Sequence, residues 1–263
     1  MRVQEALKWI PFGIFKGHIG TAMENGMELN VGAAPLLEQV CPLCGGTDTQ
    51  VFYRDPAGKR RRRARQPLNK VLRVYYRCTG CGLVFVPAEF LLAPEEEKHI
   101  YAQHQNSRAD PGYCRFLAQL CEPMCTRLPP RARGLDFGSG PQPVLAALFE
   151  ARGHQMNIYD PYYAPERRVL LQTYDFITCS EVIEHIYAPA EPLDRLWGSL
   201  VPGGLLGIMT SMVPDAGDFA TWRYKDDPTH VRFYSRRTFE WLARKWSAPV
   251  EFVERGVVIF AKE

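Results

Sequence analysis

From residue 133 onward the spacing of apolar residues along the chain changes repeatedly, and each change marks an element. RGLDFG (133–138), QMNIYD (155–160), YDFITCS (174–180) and GLLGIMTS (204–211) are short apolar runs and read as strands. PVLAALFEARG (143–153), PAEPLDRLWGSLV (189–201) and SRRTFEWLARKW (235–246) space their apolar residues at helical intervals. VEFVE (250–254) and GVVIFAK (256–262) follow as a closing pair of strands. Two helices are predicted ahead of this block. PEEEKHIYAQHQN (94–106) opens on proline and glutamates, which suit a helix N-terminus, and PGYCRFLAQLCEPMCTRL (111–128) follows it. Strands alternating with helices predict an α/β fold: a Rossmann-like, mostly parallel sheet with helices on both faces. Further upstream, TQVFYR, KVLRVYYRC and GLVFV are β-rich text broken by cysteine pairs. Three segments result: an extension over 1–36, a small β-rich module over 37–92, and the α/β core over 93–263.

A chain of 263 residues can bury one substantial core beside a small module. Hydrophobic residues at 46% and charged residues at 23% match soluble globular proteins, which argues against a disordered or fibrous chain. No run approaches the roughly 20 apolar residues that span a bilayer, so no membrane partner is predicted. The apolar stretch ALKWIPFGIF is interrupted by Lys8 and Pro11 and lacks a cleavage site, so no signal peptide is expected. The formal charge of +3 is unevenly placed. Arg54, Lys59, Arg60, Arg61, Arg62, Arg63 and Arg65 face Asp55 alone, leaving the rest of the chain net acidic. The run GKRRRRAR (58–65) reads either as a solvated loop or as a contact for RNA phosphates.

Cysteines change the picture of the upstream module. Cys41-Pro-Leu-Cys44-Gly45 is followed 33 residues later by Cys78-Thr-Gly-Cys81-Gly82. Each C-x-x-C-G puts two sulfurs on a tight turn, and two such turns supply the four ligands of a tetrahedral site. The β-rich flanks predict a zinc ribbon over 37–92, with a closed site that holds the fold and leaves no position for chemistry. Paired cysteines without secretory context also predict a reducing, cytoplasmic location. Cys114, Cys121 and Cys125 fall in a helical apolar pattern and read as small buried hydrophobes.

Leu135-Asp136-Phe137-Gly138-Ser139-Gly140-Pro141 lies between a predicted strand and a predicted helix, where glycines let a ligand approach the backbone. Twenty residues after Gly140, Asp160 ends the next strand, placed to bind ribose hydroxyls. With these motifs the chain resembles the class I S-adenosylmethionine-dependent methyltransferases, over about residues 93–263. Tyr174–Ser180 followed by Glu181-Val182-Ile183-Glu184-His185, and Pro202-Gly203-Gly204, are similar to the family's fourth strand and its turn into the fifth. Thr229-His230 and Phe233-Tyr234-Ser235 resemble the subgroup that includes ubiquinone-biosynthesis O-methyltransferases. The resemblance implies S-adenosylmethionine as cofactor, held by Asp136, Gly138, Gly140, Asp160, Ser180 and Glu181. These later segments weigh against a nicotinamide-dependent dehydrogenase, which the glycine loop alone would allow. The match departs from the family at Gln142, where a third glycine is usual, and in the 14 residues between Asp160 and Asp175. That gap predicts a third strand that is short or missing and leaves no carboxylate to assign to the adenine.

In ubiquinone-type and small-RNA 2′-O-methyltransferases a similar E-x-x-E-H supplies metal ligands. By that resemblance Glu181, Glu184, His185 and His230 form a candidate second site, for a divalent cation. The alternative is that Glu181 faces the cofactor while His185 and His230 act as base or acceptor orienter. Phe219, Trp222 and Tyr224 are the expected acceptor wall, with Tyr101, His104 and Tyr113 closing over the pocket. The leading functional expectation is a methyltransferase for a small-molecule or sugar-like acceptor. An RNA methyltransferase docked through the ribbon, and a non-catalytic binding protein on a degenerate core, are the alternatives.

Overall fold

A computed structural model of the chain describes residues 39–55, 73–103, 107–214 and 216–263. The predicted extension, the basic run over 58–65 and His104 lie outside the described residues. The elements in chain order are β1 (Thr49–Arg54), β2 (Val74–Cys78), β3 (Val84–Phe85), α1 (Pro94–Tyr101), α2 (Pro111–Cys125), β4 (Arg133–Phe137), α3 (Val144–Glu150) and β5 (Gln155–Tyr159). After them come β6 (Tyr174–Ser180), α4 (Ala190–Gly198), β7 (Leu200–Met209), the single turn α5 (Ala216–Phe219), β8 (Arg232–Phe233), α6 (Arg236–Trp246), β9 (Val250–Val253) and β10 (Val257–Ala261).

Six strands form the main sheet in the order β5-β4-β6-β7-β10-β9. The pairs among β5, β4, β6 and β7 are parallel, and β10 joins antiparallel to both β7 and β9. The fold is therefore the mixed α/β, mostly parallel architecture that the alternating pattern predicts. Between β5 and β6 the chain forms only a 3-10 turn, Arg167–Leu171, so the third strand is missing and β5 borders the sheet.

Alternate residues of each strand serve opposite faces, as the pleat requires. Phe176, Leu205 and Val257 join the layer formed by α2 and α3, whereas Ile177, Leu206 and Val258 join the layer formed by α6 and the cysteine module. The α2 stripe is Leu117, Leu120, Cys121 and Met124, spaced to cover one side of a helix. On α6 the buried set is Thr238, Phe239, Leu242 and Ala243, and Ser235 caps the helix by accepting from the Thr238 amide at 3.2 Å.

The second sheet runs β1-β2-β3-β8. Its first three strands come from the cysteine module and its fourth from the α/β core. A single apolar cluster joins Cys41, Leu43, Tyr76 and Leu83 to Leu206, Tyr234 and Phe239. The two sheets thus share packing as well as a strand. Among the described residues no helix is long and apolar enough to cross a membrane.

Candidate active site and cysteine centre

Beyond the end of β4 the chain turns at Gly138 with φ of 81°, a left-handed conformation that glycine adopts freely. A Cβ there would lie 2.3 Å from the Val182 side chain, so the position also requires a bare backbone. The Gly138 amide donates to the Tyr159 carbonyl at 2.7 Å, and the Gly140 amide donates to Asp160 Oδ2 at 3.0 Å. Asp160 Oδ1 accepts from the amides of Tyr162 and Tyr163 at 2.8 and 3.0 Å. Burial pushes the Asp160 carboxyl upward, and these three amides oppose that shift. Asp136 lies beneath the loop, accepting from Thr178 Oγ1 at 3.0 Å, with its carboxyl pushed up to about 6 by burial.

The loop opens on a cavity of about 380 Å³. Gly138, Gly140, Asp160, Ser180 and Glu181 line it, and Asp136 supports it from below. Two buried polar atoms on this wall, Ser180 Oγ and Tyr163 Oη, have no hydrogen-bond partner among the described residues. A wall with unsatisfied polar atoms beside a close-approach glycine loop suits a polar ligand.

Across the cavity, Glu181 sits at the end of β6 with φ of 53°, a strained backbone for a residue bearing a Cβ. This aims its carboxylate at the Tyr224 hydroxyl, which lies 3.0 Å from Glu181 Oε2 and also donates a short bond to Glu184 Oε1. Thr210 Oγ1 donates to the other Glu184 oxygen at 3.0 Å. Glu184 is fully buried, and both glutamates are pushed up to about 7, chiefly by burial.

The two histidines have defined tautomers. His185 Nδ1 lies 3.1 Å from the Thr229 carbonyl and His230 Nδ1 lies 2.7 Å from the Tyr224 carbonyl. A carbonyl only accepts, so each Nδ1 carries a proton, and a neutral ring so anchored keeps its lone pair on Nε2. Burial, reinforced by His230, pushes His185 down to about 4, so its 3.9 Å approach to Glu184 is no ion pair at neutral pH. The ring centroids are 4.7 Å apart, and ligand atoms of Glu184, His185 and His230 all lie within 4.8 Å of one another. Three of the four residues expected at the second metal site therefore converge. Glu181 is tied to them through Tyr224.

The four module cysteines converge as well. Sγ atoms of Cys41 and Cys81 are 3.5 Å apart, those of Cys44 and Cys78 are 3.4 Å apart, and all four lie within 4.8 Å of one another. Sulfurs 2.3 Å from a shared zinc would be roughly 3.8 Å apart at tetrahedral angles, so the arrangement fits that ion. Each turn closes with the glycine amide donating to the first cysteine's carbonyl, Gly45 to Cys41 at 3.0 Å and Gly82 to Cys78 at 2.9 Å.

A family model described as a methyltransferase domain matches residues 103–246, more than half of the chain. The chain belongs to that methyltransferase family. Solved structures of similar fold include an O-methyltransferase family protein from Burkholderia thailandensis, 12% identical with a TM-score of 0.43, matched over 64% of this chain and 62% of that one. This chain thus spans less than two thirds of that protein's length. A second is the 1,6-didemethyltoxoflavin-N1-methyltransferase of the same organism, 16% identical with a TM-score of 0.46, over 76% of this chain and 99% of that one. A third is an S-adenosylmethionine-dependent methyltransferase from Thermotoga maritima, 16% identical with a TM-score of 0.37, over 64% and 94%. No protein of curated function matches the chain in sequence.

The expected acceptor wall of this methyltransferase needs correction. Tyr113 and Tyr101 do line the cavity, but Phe219, Trp222 and Tyr224 do not. Phe219 is fully buried against Phe52, Tyr53 and Tyr75 of the cysteine module, and Trp222 packs on it. The reason is competition: the module offers those rings an apolar bed that an isolated core would lack. Tyr224 spends its hydroxyl on the two glutamates.

The sequence reading missed Glu97, which is fully buried and accepts from Tyr101 Oη at 2.7 Å and Tyr162 Oη at 2.8 Å. Through it α1 is tied to the loop after Asp160. Its only sequence signal is a glutamate four residues before a tyrosine on a helix.

Proposed function

We propose that the chain is an S-adenosylmethionine-dependent methyltransferase acting on a small-molecule acceptor, with structural zinc in the cysteine ribbon. The observation that carries this reading is the pairing, across one cavity, of two walls. One is a glycine loop with unsatisfied Ser180 Oγ and Tyr163 Oη; the other is a cluster of Glu184, His185 and His230. Gly138, Gly140, Asp160, Ser180 and Tyr163 would hold the cofactor, which supplies an electrophilic methyl group on a sulfonium.

The chain's own work is positioning and deprotonation. The acceptor's lone pair forms the new bond to the methyl carbon as the sulfur–carbon bond breaks, its electron pair staying on sulfur. The acceptor's proton must leave as the bond forms: without a cation it would pass to Nε2 of His185 or His230, and with a cation, whose ligands use those lone pairs, to the cavity-lining Glu181 carboxylate. Two imidazoles and one carboxylate, each imidazole anchored by Nδ1–H on a backbone carbonyl, also match the donor set of a divalent cation. We assign Glu184, His185 and His230 as its ligands, where it would lower the pKa of an acceptor hydroxyl. The depressed basicity of His185 supports ligation over a role as general base. Tyr101, Tyr113 and Tyr162 narrow the cavity, which favours a small acceptor over a polymer.

Calorimetry with S-adenosylhomocysteine, metal analysis of the purified protein and chelation test the three parts. The expected result is saturable binding, about one zinc per chain, and methyl transfer that EDTA abolishes and magnesium or manganese restores. A protein that binds no S-adenosylhomocysteine would overturn the cofactor assignment. Stoichiometric disulfides among the ribbon cysteines would overturn the zinc assignment. Transfer indifferent to EDTA would return His185 and His230 to a metal-free role.

A further inference from the structure

The segment from Phe219 to Tyr234 carries Tyr224 and His230, yet much of what holds it comes from the cysteine ribbon. β8 pairs antiparallel with β3, in the register Val84 with Phe233 and Phe85 with Arg232. One residue after His230, Val231 is gripped from both sides. Its amide donates to the Glu184 carbonyl at 2.9 Å, and its carbonyl accepts from the Val86 amide at 3.1 Å. The first links it to the active site and the second to the ribbon.

Arg73, immediately before β2, makes the closest connection. Its buried guanidinium donates through Nη2 to the His230 carbonyl at 2.6 Å, and through Nη1 to the carbonyls of Lys225 and Asp227 at 3.2 and 3.3 Å. Tyr75 Oη adds a bond to the Lys225 carbonyl at 3.3 Å. Three carbonyls of one short loop thus converge on a single planar fork, a geometry that arginine provides and a point charge such as lysine does not. The Tyr224 carbonyl, next in line, accepts the Nδ1 proton of His230. The loop is closed on itself at one end and on the ribbon at the other.

We propose that Arg73 is a positioning residue for His230, and that the cysteine ribbon works through it as a built-in clamp on the active-site loop. This rests on the reading of His230 given above. The clamp sets where the His230 ring stands and which nitrogen carries its proton. By keeping Lys225, Asp227 and His230 carbonyls turned towards the ribbon, Arg73 leaves the Tyr224 carbonyl to the imidazole, and so presents the Nε2 lone pair to the cavity. A ribbon without its metal would lose the turns that align β2 and β3, and with them the clamp.

The full chain with labelled histidine nitrogens tests this by NMR, because ring nitrogen shifts report the tautomer of each histidine. His230 is assigned by its loss in His230→Asn. Wild-type protein should show His230 as a single Nδ1–H tautomer. With the protein freed of exchangeable divalent cation throughout, Arg73→Met should populate both tautomers, Arg73→Lys should fall between, and Cys44→Ser, which removes a ribbon ligand, should reproduce the Arg73→Met signal. His154, packed against Phe149 and Phe176, is the internal control and should not change. S-adenosylhomocysteine binding should survive Arg73→Met, since the cofactor wall is built from other loops. Failure of the wild type to bind S-adenosylhomocysteine would count against the proposed function and leave the clamp measurable. A folded Arg73→Met protein with an unchanged His230 tautomer overturns the clamp. Should Arg73→Met fail to fold, Arg73→Lys, which keeps the charge but not the fork, carries the test, and an unaltered His230 signal there overturns the clamp.

Discussion

Asp160→Asn separates the two duties that the structure gives this carboxylate. A carboxylate offers about four acceptor positions, and backbone amides of Gly140, Tyr162 and Tyr163 take three of them. One position remains for a ribose hydroxyl, where the sequence alone allowed two. In the asparagine variant the amide oxygen can keep Tyr162 and Tyr163, but the NH2 group then faces the Gly140 amide, donor against donor. The lost charge-assisted bond is of the kind that contributes about 1.5–3 kcal/mol. Removing a buried charge offsets part of this, because burial already opposes ionisation of Asp160. The fold should therefore lose little. S-adenosylhomocysteine binding should fall by about 1–3 kcal/mol, or roughly 5- to 150-fold, since both the hydroxyl acceptor and the loop position at Gly140 are affected. Calorimetry beside thermal unfolding measures the two effects on one sample. An Asp160→Asn protein that binds as tightly as wild type would refute the assignment of this loop to the cofactor.

Two further outcomes follow from the same geometry. Tyr224→Phe removes the hydroxyl shared by Glu181 and Glu184, and manganese binding followed by its resonance signal should weaken on the order of 10- to 100-fold, as for other lost supports of metal ligands; unchanged affinity would sever Tyr224 from the cluster. Asp136, whose folded-state value is raised from 3.8 to about 6, makes the folded state hold more protons than the unfolded state between those values. Stability therefore falls as pH rises through that window. Asp136→Asn should exceed wild type in stability above pH 6 by up to about 3 kcal/mol and converge with it near pH 4, and parallel pH profiles in denaturant titrations would contradict this.

Local periodicity made most of the main sheet legible. The strands from Arg133–Phe137 to Val257–Ala261 carry their own apolar runs, and the short gap after Asp160 announced the missing third strand. The cysteine centre and the Glu184–His185–His230 cluster were also legible, because their residues stand at tight spacings or follow consecutive parallel strands that open at one edge. The joining of the cysteine module to the core was not. β8 has two residues and so no period to read, and its partners lie far away in sequence: Arg232 donates to the Val86 carbonyl across 146 positions. The same long-range packing displaced Phe219 and Trp222 from the expected acceptor wall, since aromatic side chains announce burial without saying against what. Arg73 was invisible for a related reason. Its partners are backbone carbonyls, which leave no trace in residue identity.

The border strand β5 has a consequence for how this chain can vary. The short stretch between β5 and β6 packs back on this border strand through side chains. Its Gln172 side chain accepts from Asn157 of β5 at 3.1 Å, and Tyr174 Oη accepts from the same amide at 3.0 Å. That stretch also contains Tyr162 and Tyr163, which reach the cavity. Support of the border strand and ligand recognition are therefore written into the same dozen or so residues. Insertions that reshape one will disturb the other, so natural or engineered changes of specificity should be sought in α2, where Tyr113 faces the cavity from outside that stretch.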